Sequence, residues 1–403
     1  MNVTERFLKY VSYPTMSSEE SESSPSTQKQ LALADALKDE LISLGLSDVR
    51  RDEYGYVYAS LDATAEGYYT LGLVAHMDTS PDMPDEPINA RIIEYRGGDV
   101  TLSEEDGTVM PEADYPSLKK YVGDHLIVTD GRTLLGADDK AGIAEIISAV
   151  EQLKNSDEPH GRVLIAFTPD EEVGRGTEHF NLEGFPADFA YTLDGGALGE
   201  LEYENFNAAS AKVKVVGFST HPGAAKGKMK NAARIAAEFN SMLPEGEIPE
   251  LTEGYEGFHH LVGMSGSTTE AELHYIIRDH SRELFEEKKE SFRRLGEKIN
   301  KKYGAGTLSL SITDSYYNMK EVIDIYPHTV ELARAAMLSL GITPRVNPIR
   351  GGTDGASLSH MGLPTPNLSA GGENFHSGFE FVSVESMEKI TELIVQIVKM
   401  AKK

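Results

Sequence analysis

The run LGLVA at residues 71–75 is apolar on both faces of an extended backbone, and it is followed at once by His76 and, two residues further, Asp78. A strand with one wet face alternates polar and apolar residues. One without alternation must be covered twice, which places it inside a sheet with helices packed on it. RVLIAFT (162–168) and FAYTLDGG (189–196) have the same character. Between LGLVA and RVLIAFT, GADDKAGIAEIISAVEQLKN carries Ile143, Ile146, Ile147, Val150 and Leu153 at the spacing of an amphipathic helix. Helical patterns also open the chain near Val3 to Val11, follow in QLALADALKDELISLGL, and close it in SVESMEKITELIVQIVKMAKK. Short apolar strands alternating with helices predict an α/β fold, a mixed sheet with helices on both faces. TMSSEESESSPSTQKQ reads as a surface loop ending in a Ser/Thr helix cap, and the acidic, Pro-containing stretch after HMDTSPD as a long loop.

From about Asn207 the pattern changes to strand SAKVKVVGF, helix NAARIAAEFNSML, strands HHLVGMSG and EAELHYIIRD, a long charged helix, and strand TLSLSITDSYY. This β-α-β-β-α-β order is that of a ferredoxin-like α+β domain. It predicts an inserted lid domain at 207–319 within a first domain made of 1–206 and 320–403.

The polar residues that interrupt these patterns fall at strand ends. His76 and Asp78 follow LGLVA, Glu171 and Glu172 follow VLIAFT, Asp194 follows FAYTL, and Asp138 opens a helix. In open α/β sheets that edge is where ligands bind. The chain has no cysteine, so a metal site here must use His, Asp and Glu. Two residues apart on an extended segment, His76 and Asp78 can face one cleft, although such a pair is equally at home in a core or on a surface. Small residues flank Asp138 and free it to bridge two cations, or simply to cap a helix. In PDEE, neighbouring carboxylates repel unless a cation draws them together, one as ligand and the other as base toward a water; otherwise the stretch is an acidic loop. Asp170 is left as a solvated bystander.

Charge narrows the partners. Lys and Arg total 38 against 65 Asp and Glu, a net charge of -27, which argues against nucleic acid or an anionic membrane surface. The charged N-terminal segment is unlike a signal peptide and no run approaches the ~20 apolar residues of a membrane span, so a cytoplasmic protein is expected.

AHMDTSPD, GADDKAG, PDEEVGRG, LDGG and ENFHSGFEF, in this order, resemble the motifs of the two-zinc exopeptidase family, and the likeness covers essentially the whole chain, including STHPG, RIAAEFN, YYNM and IRGGTDGA. The resemblance implies an aminopeptidase that removes the N-terminal residue of tripeptides with two zinc ions per subunit. It implies His76, Asp138 and Asp194 at one zinc, and Asp138, Glu172 and His376 at the other. Asp78 stands behind His76, Glu171 is the general base, and a cis bond falls at Asp138–Asp139. The family's pattern also gives His221 as donor to the oxyanion, and Arg278 and Arg350, joined by Asn231, as holders of the substrate's C-terminal carboxylate. Without the resemblance His221 is a turn residue and Asn231 a helix-start residue. The substrate's ammonium has two candidate partners in GELEYENFNAA, Glu202 and Glu204, and the sequence does not choose between them. Small peptides are the expected partners, with a homodimer left open. The rival readings are a related dizinc deacylase, carboxypeptidase or dipeptidase, and a non-catalytic metal- or peptide-binding protein.

Overall fold

The computed structural model describes residues 1–403 and divides them into two compact units. The first comprises Met1–Tyr203, Glu321–Asn347 and Thr353–Lys403, the second Glu204–Lys320 and Pro348–Gly352. The short return segment at 348–352, and Arg350 with it, thus belongs to the second unit.

The first unit is built on a seven-stranded mixed sheet in the order Ser47–Arg51, Val57–Leu61, Val163–Thr168, Leu71–His76, Phe189–Gly195, Asn367–Ser369, Leu201–Glu202. The central strands ending at Thr168, His76 and Gly195 are parallel, as is Asn367–Ser369 beside the last of them, while the outer pairings are antiparallel. The two-faced apolar runs are explained by two cores. Leu71, Leu73, Ala75, Val163, Ile165 and Phe167 point into the larger one, under helices Val3–Val11, Gln30–Ser43, Ala137–Lys154, His328–Ser339 and Val384–Met400. The intervening Val74, Leu164 and Ala166 point into a smaller core with Tyr56, Tyr58, Phe180, Phe185 and Leu358. One face is therefore covered by helices, the other by a short helix, Asp354–Met361, and a loop.

Two local readings change. The stretch after HMDTSPD is not all loop: Arg91–Glu94 joins a second sheet with His125–Val128, Phe381–Ser383 and Gly372–Glu373, and Val100–Ser103 pairs with Thr108–Met110. Helix Gln30–Ser43 begins at Lys29 with no side-chain cap. Ser26, expected among the capping residues, is buried and accepts hydrogen bonds from the Ser18 N–H and the Gln30 side chain.

The second unit is a four-stranded antiparallel sheet, ordered Phe258–Gly266, Glu270–Asp279, Asn207–Val216, Leu308–Tyr316, with helices Ala232–Ser241 and Arg282–Tyr303 and its own core around Val213, Phe239, Leu273, Tyr275 and Phe292. Both helices have side-chain caps, Asn231 as the sequence suggests and Ser281 in addition.

Candidate metal centre and active site

Because the three central strands are parallel, their C-terminal ends share one edge, and the polar residues collect there. His76 ends its strand opposite Thr168. Asp194 is the penultimate residue of Phe189–Gly195. Asp138 sits in the first turn of helix Ala137–Lys154, where Asp138 and Asp139 depart from helical geometry across a cis peptide bond. After Thr168 a left-handed residue, Asp170 (φ 59°), turns the chain into the short 3-10 turn Glu171–Val173. His376 also has left-handed backbone (φ 59°), in the loop that precedes Phe381–Ser383.

Two donor groups result. His76, Asp138 and Asp194 form one and Asp138, Glu172 and His376 the other, with donor atoms within 4.8 Å of one another in each. His76 Nε2 lies 2.8 Å from Asp138 Oδ1 and 3.5 Å from Asp194 Oδ1. His376 Nε2 lies 3.0 Å from Glu172 Oε2 and 3.4 Å from Asp138 Oδ2. Asp138 therefore turns one oxygen to each histidine. Imidazole nitrogens and carboxylate oxygens, without thiolate, suit zinc and other divalent cations, and a shared carboxylate suits two of them side by side. The donor set fits a two-metal centre.

The electrostatics agree with that fit. Burial, then Asp138, pushes Glu172 up to about 8, and burial raises Asp194 to about 6. Burial also works to raise Asp138, but hydrogen bonds with His376 and His76 overcome it and hold that carboxyl below its usual range. His376 is drawn up to about 11 by Asp138 and Glu172. Burial opposes charge on His76, yet Asp138, Asp194 and Asp78 keep its affinity for a proton well above normal.

Glu171 stands apart from both donor groups. The residue as a whole is half-buried, and burial of its carboxyl followed by repulsion from Asp194 pushes that group well above the ordinary range. Asp78 contacts the His76 ring mainly through its backbone: Nδ1 lies 3.0 Å from the Asp78 carbonyl oxygen and 3.5 Å from its carboxylate. The fully buried carboxylate accepts the N–H groups of Glu171 (3.0 Å) and Glu172 (3.2 Å), fixing the turn that carries both glutamates. Asp170 is not a solvated bystander. It is 1% exposed and accepts hydrogen bonds from the Ser26 N–H and the Gln30 side chain, so the serine-rich segment packs against the site loop.

Three further carboxylates escaped the sequence reading. Asp82 accepts a hydrogen bond from His376 Nδ1 at 2.9 Å, a carboxylate–histidine pairing that orients a ligand ring. Glu380 accepts the N–H groups of Leu135, Gly136 and Asp138 and so anchors the loop presenting Asp138. Asp354 accepts from Thr168 Oγ1 at 2.7 Å, and burial raises it to about 7. Asp82 and Glu380 lie within the quoted motifs AHMDTSPD and ENFHSGFEF, but only the contacts distinguish them from surface acids.

The remaining candidates lie in the second unit. His221 Nδ1 accepts the Gly223 N–H in the turn Pro222–Ala224, and Asn231 caps its helix by accepting the Arg234 N–H. Arg278 uses one nitrogen, Nη1, on the carbonyls of Ile277 and Ala209 and stacks over Tyr316. Arg350 is more heavily engaged, donating to the carbonyls of Thr252, Gly254 and Glu256 and lying over Phe206 and Phe258. The structure thus assigns local structural duties to His221 and Asn231, and brings no new partner to them.

The profile of peptidase family M20/M25/M40 matches residues 128–400, a span that takes in Asp138, Glu171, Glu172, Asp194 and His376. Over 401 residues the chain is 57% identical to Peptidase T of Caldanaerobacter subterraneus subsp. tengcongensis and 54% identical to Peptidase T of Halothermothrix orenii, covering 99% of this chain and 98% of each relative. Among solved structures it resembles aminopeptidase PepT from Bacillus cereus ATCC 10987, with a TM-score of 0.79 at 25% identity over 99% of this chain and 98% of that one. Matches of this extent leave one assignment: the chain belongs to peptidase family M20/M25/M40 and, within it, to the peptidase T proteins.

Proposed function

We propose that the chain is a two-zinc aminopeptidase that releases the N-terminal residue of tripeptides. The observation that carries this reading is the pair of donor groups joined through Asp138 with Glu171 unligated beside them, in a chain 57% identical to a Peptidase T. When bound, two zinc ions would polarise the scissile carbonyl and acidify a water. Glu171 takes the proton of that water as it attacks and returns it to the leaving amine, a task for a carboxyl whose surroundings already raise its proton affinity. Asp78, gripping the N–H groups of Glu171 and Glu172, keeps base and ligand at a fixed separation. Asp82 and the Asp78 carbonyl hold the two histidine rings with Nε2 facing the donor groups.

His221 would donate to the oxyanion, and Arg278, Arg350 and Asn231 would hold the C-terminal carboxylate, which limits substrates by length. Arg278, with most of its fork uncommitted, is the stronger carboxylate binder, because Arg350 must surrender hydrogen bonds within its own unit to serve. Metal analysis combined with a panel of di-, tri- and tetrapeptides and N-acylated amino acids tests the reading. The expected outcome is two zinc per chain and a sharp optimum at free tripeptides. Rapid cleavage of acylated amino acids with tripeptides untouched would overturn it. Glu171→Gln should retain both metals while turnover falls by a factor of about 10² to 10⁴.

A further inference from the structure

An aminopeptidase needs a partner for its substrate's ammonium, and the structure separates the two candidates of the GELEYENF segment. Glu204 belongs to the second unit, where its carboxylate accepts a hydrogen bond from the Tyr255 hydroxyl. Glu202 ends the edge strand Leu201–Glu202 of the first unit's sheet, paired with Asn367, and the Asn367 strand in turn lies beside the one carrying Asp194. Asn367 links the two acids. Its Nδ2 donates to Glu202 Oε2 at 2.8 Å, while its Oδ1 accepts the Asp194 N–H at 3.1 Å and the Thr192 hydroxyl at 2.9 Å.

Those two contacts, spanning one amide, put the Glu202 carboxylate within about 8 Å of the Asp194 backbone nitrogen. In a peptide the terminal nitrogen is about 2.5 Å from the first carbonyl carbon, so an ammonium resting on Glu202 keeps that carbonyl close to the sheet edge that carries Asp194. Neighbouring acids are already served. Arg345 acts on Glu200, and Glu373 has the Tyr121 hydroxyl at 2.9 Å and Lys120 at 3.6 Å. Glu202 has Asn367 alone. That glutamate is half-buried, and burial followed by repulsion from Glu200 pushes its carboxyl up to about 8. An acid in that state holds a proton until a cation arrives.

We propose that Glu202 binds the substrate's N-terminal ammonium, held in register with Asp194 through Asn367, and that it selects peptides with a free amine. The inference rests on the aminopeptidase reading. Calorimetric titration of trialanine into zinc-loaded Glu171→Gln protein at pH 7, in buffers of different protonation enthalpy, reads the ammonium contact directly. Binding should release protons. In the double variant Glu171→Gln/Glu202→Gln the release should vanish, with affinity roughly 10- to 100-fold lower. In the active enzyme, Glu202→Gln should lower kcat/KM for trialanine by a similar factor, chiefly through KM, with metal content unchanged. Glu202→Asp should recover part of the loss, and Glu200→Gln should stay within about twofold of wild type. Wild-type affinity and proton release in the double variant would overturn the role of Glu202 alone. A wild-type enzyme that cleaves N-acetylated amino acids in place of trialanine would instead overturn the aminopeptidase reading.

Discussion

The acids around this centre are chemically alike and differ in what donates to them. Asp78, Asp170 and Glu380 accept backbone N–H groups and act as clamps on loops; Asp138, Glu172 and Asp194 gather around histidine nitrogens; Glu171 faces neither. Adjacency in PDEE could suggest that neighbouring acids have different tasks, but burial and donors decide the tasks, which is why Asp170 was misjudged. Glu145 is the extreme case. It is fully buried in helix Ala137–Lys154, neither oxygen has a partner, and burial followed by repulsion from Asp139 raises its carboxyl well above the usual carboxylate range. The folded chain keeps this proton while the unfolded chain releases it, so stability is lost as pH climbs from about 4.5 toward the raised folded value, at up to about 1.4 kcal/mol per pH unit. Glu145→Gln removes the penalty. Urea midpoints of variant and wild type should coincide near pH 4 and separate in the variant's favour by pH 8; equal midpoints at both would refute the argument.

Elements with strong periodicity were legible. The central strands announce themselves because one pattern must satisfy two cores, helix Ala137–Lys154 because its apolar residues recur at helical spacing, and the second unit follows from its order of strands and helices. The strands Arg91–Glu94, Val100–Ser103 and Thr108–Met110 did not, since strands of three and four residues are too short to show a period and look like loop until their partners are known. Helix Asp354–Met361 was missed for a related reason: its sequence, DGASLSHM, is poor in helix formers and depends on the Thr353 cap. The helix carrying Asp138 also packs unusually close to the strand carrying Asp194. A Cβ on Gly142 would lie 2.2 Å from the Leu193 carbonyl oxygen and 2.5 Å from Asp139 Oδ1. Gly142→Ala should therefore cost about 3 kcal/mol or more, seen as a fall of several degrees in Tm. It should also weaken zinc retention, because the displaced strand holds Asp194. Gly246→Ala, which meets nothing within 4 Å, is the control and should leave Tm in place.

At the scale of the molecule, five proposed ligands come from segments as distant as His76 and His376, so metal binding ties together parts of the first unit that the chain separates. That long-range closure is invisible to local pattern, as is the return of Pro348–Gly352 to the second unit; both depend on contacts between remote segments. Because metal binds the folded donor set and not the unfolded chain, each site filled to a thousand times its Kd adds about 4 kcal/mol of stability. The second unit has its own core and none of these ligands. Chelation should consequently speed amide hydrogen exchange in the strands Leu71–His76, Val163–Thr168 and Phe189–Gly195, while Asn207–Val216 and Glu270–Asp279 exchange as before. Binding must also displace protons, since burial raises Glu172 to about 8 and Asp194 to about 6. Zinc affinity, measured against a competing chelator, should fall as pH drops from 8 to 6, by up to about tenfold per unit for each proton displaced. Affinity independent of pH across that window, or faster exchange spread equally over both units, would show that these residues are not the ligands.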